Sequence, residues 1–348
     1  MVRVFVRDPV TRTICDRVAV DIAARLPSLQ ETNWQINDSD NRYISLRRAH
    51  RHNLAQAITE GLPQASSLKS LSIKADFDVW HSHFSVGTLH PGSSTDPLSN
   101  AIHTVTRAMR RLKTLRITGE IDSSLFWPGP TRAISQPYWQ CLERLTVRFS
   151  TRRPSGGCYF WNPRQKIVAP LETEVPPGYG HADDNKIVRF FDSALHCSGG
   201  APSELSVTPD DDSLVPLIEA FGQACLQIPK LKSAELSTLI PAPPFKPPKN
   251  HDPPEYRWIR PVWGVWYFSP HTVIESHETD WYPIQYFPIF YKHTPQRRVM
   301  RKITDWGPKD SLRNLICKIG CEEYGMDLVE RFIEDKWNIK NSTSHLVG

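Results

Sequence analysis

His81 and His83 flank Ser82, and His90 follows them, in the stretch VWHSHFSVGTLH. On a strand, residues two apart point to one side, so His81 and His83 could present two imidazoles to one metal ion. No third ligand stands at a fixed spacing, so loop histidines on the surface are the plainer reading and no metal site is expected. The seven cysteines, at 15, 141, 158, 197, 225, 317 and 321, are odd in number and widely spaced. That pattern writes neither a disulfide framework nor a paired zinc motif, and it fits reduced thiols of a cytoplasmic or nuclear protein. Cys141 or Cys158 could act as a nucleophile only if the fold brought a histidine base beside it. Cys317 and Cys321, four residues apart, would share one helix face as small buried hydrophobes. The acidic run Asp210-Asp211-Asp212 precedes a helical pattern, where carboxylates favour the positive end of the dipole. Asp183-Asp184 lies in loop-like sequence. No GxGxxG follows a strand, and GxxxxGK[ST], GxSxG and HExxH are missing from the chain, so no catalytic or cofactor-binding residue is expected and no cofactor is implied.

The bulk numbers narrow the class. The chain has 348 residues, 39% of them hydrophobic and 10% aromatic, enough for a sizeable core. Its 30 prolines imply short segments separated by stiff turns. A net charge of +5 arises from 42 basic and 37 acidic residues and gives only a mild attraction to acidic surfaces. Basic residues cluster at Arg47, Arg48 and Arg51 with His50 and His52, at Arg107, Arg110, Arg111 and Lys113, and at Arg297, Arg298, Arg301 and Lys302. They read as solvated helix faces, and without interleaved aromatics or a known motif no specific nucleic-acid partner is expected. The N-terminal MVRVFVRDPV mixes charge into its apolar residues and does not read as a signal peptide. No apolar run approaches the ~18 residues of a membrane helix. A protein that is not secreted, with idle sequons at Asn37 and Asn341, follows as the expectation.

The elements that would position any site are written in a recurring hexad. LKSLSI (68–73), LKTLRI (112–117), LERLTV (142–147) and LKSAEL (231–236) share a leading leucine, a charged second residue and strand-like alternation. Helical patterns precede three of them. Leu46, Ala49, His50, Leu54, Ala57 and Ile58 make one stripe, ended by Gly61 and Pro63. Leu98, Ile102, Val105 and Met109 make another behind an Asp96 cap and Pro97. Leu217, Ala220, Phe221, Ala224, Cys225 and Ile228 make a third, capped by Asp212 or Ser213. An earlier copy runs through DIAARLPSLQETNW (21–34), and a further one would pair a helix at 185–195 with a strand at 203–207. Units of helix, tight turn and short strand bury their apolar stripes only by stacking. The fold class expected is α/β, an irregular leucine-rich-repeat-like solenoid with a largely parallel sheet. Its spacing is uneven and it lacks the Asn or Cys ladder of regular repeats.

The rest of the chain departs from this unit. Leu125, Phe126 and Trp127 would plug an end of the core, and Cys158-Tyr159-Phe160-Trp161 reads as a strand or flap. PAPPFKPPKNHDPP (241–254) is a linker with a PxxPxK pattern at Pro244, Pro247 and Lys249 that resembles a ligand for SH3 domains. PVWGVWYFSP is an aromatic strand, RRVMRKITDWGP can be another, and 308–337 reads as two helices. Their apolar faces are Leu312, Leu315, Ile316 and Ile319, then Leu328, Val329, Phe332 and Ile333. The organisation expected is a solenoid over 1–240, a Pro-rich linker over 241–256, a C-terminal cap of aromatic strands and two helices over 257–340, and a tail over 341–348.

In the order of these pieces the chain resembles a group of filamentous-fungal F-box/leucine-rich-repeat-like proteins. The pieces are LPSLQETNW, LKTLRITGEIDSSLFWP, WQCLERLTV with GGCYFW, VPLIEAFGQACLQIPKLKSAEL, WGVWYF and LICKIGCEEYGMDLVERFIE, spanning about residues 20–335. The resemblance implies repeats that bind and do not catalyse. It also implies a link to an SCF-type ubiquitin ligase through an adaptor (Skp1-like) wherever an F-box is present. Nothing before Asp21 is long enough for that helical module, so the ligase role is not carried over. The leading expectation is a non-enzymatic protein-binding scaffold with an unknown protein partner. Its rivals are a ligase substrate receptor and an enzyme with an unfamiliar site. Trp34, Trp80, Phe126, Trp127, Tyr159 and Trp161 are the candidate anchors on the binding surface, with core packing as the alternative for each.

Overall fold

The structure, a computed structural model, describes residues 17–37, 44–76, 87–93, 95–127, 139–161, 208–240, 262–272, 295–303 and 306–332. In chain order the strands are β1 (Glu31–Asn37), β2 (Ser70–Asp76), β3 (Thr114–Gly119), β4 (Arg144–Phe149), β5 (Phe160–Trp161), β6 (Thr208–Pro209), β7 (Ser233–Leu239), β8 (Val262–Phe268), β9 (Arg297–Lys302) and β10 (Leu328–Phe332). The helices are α1 (Arg17–Ala24), α2 (Ile44–Gly61), α3 (Pro97–Ala108), α4 (Asp211–Leu226), α5 (Asp310–Cys317) and the single turn α6 (Cys321–Tyr324). Eight strands form one mixed, mostly parallel sheet in the order β1-β2-β3-β4-β7-β8-β9-β10. It is parallel from β1 through β7. β8 runs antiparallel to both of its neighbours, and β9 and β10 are parallel to each other. β5 and β6 make a separate antiparallel pair.

One turn, repeated, starts the parallel strands. Leu29, Leu68, Leu112, Leu142 and Leu231 each donate their amide to the carbonyl three residues earlier, at Leu26, Ala65, Met109, Trp139 and Ile228. Each of these leucines is buried. The next residue then joins the neighbouring chain: Lys69 donates to the carbonyl of Gln30, Lys113 to Lys69, Glu143 to Lys113 and Lys232 to Glu143. The turn therefore sets the register. Leu71, Leu115 and Leu145 lie side by side with Ala234, and Ile73, Ile117 and Val147 lie beside Leu236. Removing the side chain of any of these leucines should cost about 2–5 kcal/mol, the usual penalty for a core leucine.

Alternate residues of β1, β2, β3, β4, β7 and β8, with Phe160 of β5 and Val299 of β9, enter a single core. The described helices line up over that side in the same order as the strands. α1 packs on α2, α2 on α3, α3 on a 3-10 turn at Ser123–Leu125, that turn on α4, and α4 on α5. Right-handed crossovers between sequential parallel strands put helices on one side in this way. Between α3 and α4 sits the 3-10 turn, and just after it Phe126 stacks edge-on against Phe221 of α4, centroids 5.4 Å apart. Asp96 caps α3 by accepting from the Ser99 amide at 2.8 Å, with Pro97 first in the helix. α4 starts earlier than Asp212 would place it, with Asp210 as the N-cap residue.

Three expectations are corrected. Leu328–Phe332 is a strand and not a helix, so the C-terminal segment holds α5, one turn of α6 and then β10. Gly320 and Gly325, at φ +69° and +82°, end the helical path, and the free edge of β9 takes up the chain. Local helix propensity loses to tertiary pairing here. The same break means Cys317 ends α5 and Cys321 begins α6, so they do not share one helix face. The basic clusters at 47–51 and 297–302 are not solvated faces, since Arg47, Arg51, Arg297, Arg298, Arg301 and Lys302 are all buried. On α2, Arg47 and Arg51 occupy the inward positions, and Ala49 is exposed. The proposed repeat at 185–207, the Pro-rich 241–256, and Trp80, His81, His83, Asp183 and Asp184 lie outside the described residues.

Candidate binding surface

With the helices on one side, the other side of β1–β4 and β7 is polar. The register lays its residues in rows across five strands. One row is Asn33, Ser72, Arg116, Thr146 and Glu235. The next is Gln35, Lys74, Thr118, Arg148 and Ser237. All but the buried Ser237 are at least partly exposed. Arg148 Nε lies 3.2 Å from Glu235 Oε1, which also accepts from Ser237 Oγ at 2.6 Å. Hydroxyls, amides and guanidiniums held on a rigid pleat offer many hydrogen-bond partners to a large surface. They assemble no acid–base pair for chemistry.

At the exit ends of β3 and β4 a charged cluster is buried beneath the loops. Gly119, at φ +151°, comes so close to β2 that a Cβ would lie 2.8 Å from the Ala75 carbonyl oxygen. The next residue, Glu120, meets Arg47 at 3.3 Å. Arg51 grips Asp96 through two bonds, of 2.7 and 2.6 Å, and donates to the Glu120 carbonyl at 2.6 Å. Burial pushes the Asp96 carboxyl up, but the Arg51 charge and the bonds from Arg51 and Ser99 outweigh it and hold the group below the usual carboxylate range. Burial raises the Asp122 carboxyl, with Ser124 pulling the other way. Burial also lowers the Arg152 guanidinium to about 10, against the pull of Glu120. It is still charged at neutral pH. Opposite charges packed this tightly fix the loops around them.

The Cys158 reading gains no activated nucleophile. Burial pushes the Cys158 thiol up, and the nearby Arg152 and Arg153 do not reverse it, whereas a nucleophilic thiol needs the opposite shift. Cys141 is half-buried in the turn before β4. His90 is buried, with Nδ1 3.0 Å from the Ser93 carbonyl. Among the described residues no group of three or more His, Cys, Asp or Glu is placed to hold a metal ion. A cleft of about 240 Å³ lies between Arg301, Trp306, Asp310, Arg313 and Phe332. Arg301 and Arg313 both turn to Glu330, at 2.7 and 2.6 Å, so its cations are already engaged.

The candidate anchors do not converge. Trp34, Phe126 and Tyr159 are buried and serve the core, which corrects their assignment to a binding surface. Tyr159 donates to the Ile121 carbonyl at 2.7 Å and stacks edge-on against Phe149, 5.3 Å away. Phe149, Phe160 and Trp263 join in one aromatic cluster, because large rings exclude water best in contact with each other. Trp127 is partly buried against the same core. The backbone of Trp161 lies in β5. The residues that sequence reasoning missed are the small polar ones between the leucines. Their signal was present in the third and fifth positions of each hexad.

No protein-family model, curated protein or solved structure matches the chain. Among the described residues, no helix is long and apolar enough to cross a membrane.

Proposed function

We propose that the protein is a non-enzymatic protein-binding scaffold, built as an irregular leucine-rich-repeat-like solenoid that holds its partner against the strand side of the sheet. The observation that carries this reading is the set of polar rows across β1, β2, β3, β4 and β7, on the side away from the helices. The repeated entry turn supports the solenoid part, because each unit meets the next through the same hydrogen bonds. A flat array of donors and acceptors on rigid strands suits a macromolecular surface better than a small molecule, which favours an enclosed apolar pocket.

The test is affinity capture from the native host with quantitative mass spectrometry. Arg116→Glu with Thr146→Glu changes the strand side, and Thr104→Glu changes an exposed position on α3. Capture should fall at least roughly tenfold for the strand-side variant, as for a disrupted interface centre, with an unchanged thermal melt. It should be unaffected by the α3 variant. A partner lost only with Thr104→Glu would defeat the reading.

A further inference from the structure

The entry turns of the parallel strands all lie at one end of the sheet, and they carry a surplus of positive charge. Arg25, Lys69, Arg110, Arg111, Lys113, Lys230 and Lys232 are exposed there, against one carboxylate within those turns, Glu143. The whole chain has a net charge of only +5. The C-terminal ends of α1, α2, α3 and α4 face the same way, and their dipoles offset about two of these charges. The surplus is therefore local. Lys69, Lys113 and Lys232 owe it to the second position of their hexads, which the entry turn stacks strand on strand, about 4.8 Å apart.

Glu143 shows what such a ladder does with a carboxylate. Lys113 Nζ lies 3.0 Å from its Oε1 and Lys232 Nζ 2.7 Å from its Oε2, so one carboxylate bridges two neighbouring ammoniums. The Lys232 bond comes first among the causes that hold this carboxyl below its ordinary range. One step along the ladder, Lys69 and Lys113 are neighbours and no carboxylate of the described residues stands between them; Lys69 reaches only the amide oxygen of Gln30, at 3.1 Å.

We propose that this rim docks an acidic segment of a partner protein, with a partner carboxylate bridging Lys69 and Lys113 as Glu143 bridges Lys113 and Lys232. The inference rests on the scaffold reading and names the chemistry of its partner. Charge complementarity selects an anionic occupant. Among the described residues the turns offer no exposed aromatic on which bases could stack, since Trp139 is buried, and that favours protein over nucleic acid.

Fluorescence anisotropy of a labelled oligoglutamate, at low ionic strength to limit screening, tests it on the full chain. Lys69→Gln with Lys113→Gln should weaken binding roughly three- to tenfold, as for two exposed ion pairs. Glu143→Gln should strengthen it, because it releases Lys113 and Lys232. Glu219→Gln, on the exposed side of α4, makes the same change in net charge and should leave binding unaltered. Equal effects of Glu143→Gln and Glu219→Gln would reduce the rim to bulk charge and overturn the inference. Tighter binding of a single-stranded oligonucleotide, lost with the same two lysines, would replace the protein partner by nucleic acid and overturn it too. If the rim variants keep a captured partner that Arg116→Glu with Thr146→Glu loses, the rim fails and the scaffold reading stands.

Discussion

In the row that crosses the sheet from Asn33, the residues Ser72, Arg116 and Thr146 are partly exposed, whereas Trp266 and Met300, further along the same row, are buried. The parallel half of the sheet thus keeps one wet face, and the half made by β8 and β9 is buried on both. The contrast shows how surroundings decide what a cation does. In the parallel half, Lys113 and Lys232 share a carboxylate in water. In the other half, Arg297 donates to the carbonyls of Gly325, Cys317, Ile319 and Met326 at 2.6–3.1 Å. Arg298 lies over the Phe268 ring at 5.5 Å and serves the carbonyls of Ser269 and Thr272. Buried guanidiniums must have such partners, because an unsatisfied charge inside costs several kcal/mol.

The largest effect should separate the halves most sharply. Arg297→Ala leaves the carbonyl oxygens at the end of α5 and around Gly325 without their donor, and should destabilise the protein by about 3–5 kcal/mol in urea unfolding. A loss below about 1 kcal/mol would mean that water replaces the guanidinium and that the C-terminal half is not dry. Arg51→Ala should cost a similar amount, since it strands Asp96. The parallel half therefore has its own buried charges under the exit loops.

A smaller effect depends on pH. Burial holds the His103 imidazole down at about 4, with the Leu125 carbonyl pulling it up and Arg107 pushing it further down. The unfolded chain takes up this proton near pH 6.5, so acid favours unfolding. Stability should fall by on the order of 3 kcal/mol as pH drops from about 6.5 to about 4. His103→Phe should flatten that slope in thermal melts across the range. An unchanged slope would place the acid sensitivity elsewhere. Asp96 adds loss in the same direction at lower pH, as its depressed carboxyl protonates.

The smallest effect belongs to the rim. Lys113→Ala should change stability by no more than about 1 kcal/mol, the usual worth of an exposed pair. A larger loss would make the ladder a structural device like Arg297 and erase the contrast.

Much of the parallel half was legible in the hexads, because a leading leucine, a turn and alternating residues carry their own geometry. The Asp96 cap was legible for the same reason. The arginines were not. RRVMRK reads as a charged face until the fold places carbonyls, Phe268 and Glu330 around it, and no local rule supplies those partners. LVERF carries residues that favour a helix and becomes a strand because β9 offers an edge. The aromatics misled in the opposite sense: Trp34 and Tyr159 have the residue types of interface anchors and are consumed by packing. The candidate surface lies in serines, threonines and lysines whose types say little and whose register says more.

The uniform entry turn also makes the two ends of the sheet unequal in what they tolerate. A residue inserted between Leu26 and Gln30, or between Met109 and Lys113, would shift a strand by one place and exchange its inner and outer side chains. A residue inserted at the exposed Ser155, in the turn between β4 and β5, lies outside the paired strands and would move nothing in the ladder. Among the described residues, graftable positions for a tag, a label or a second binding module therefore lie at the exit end and not in the entry turns.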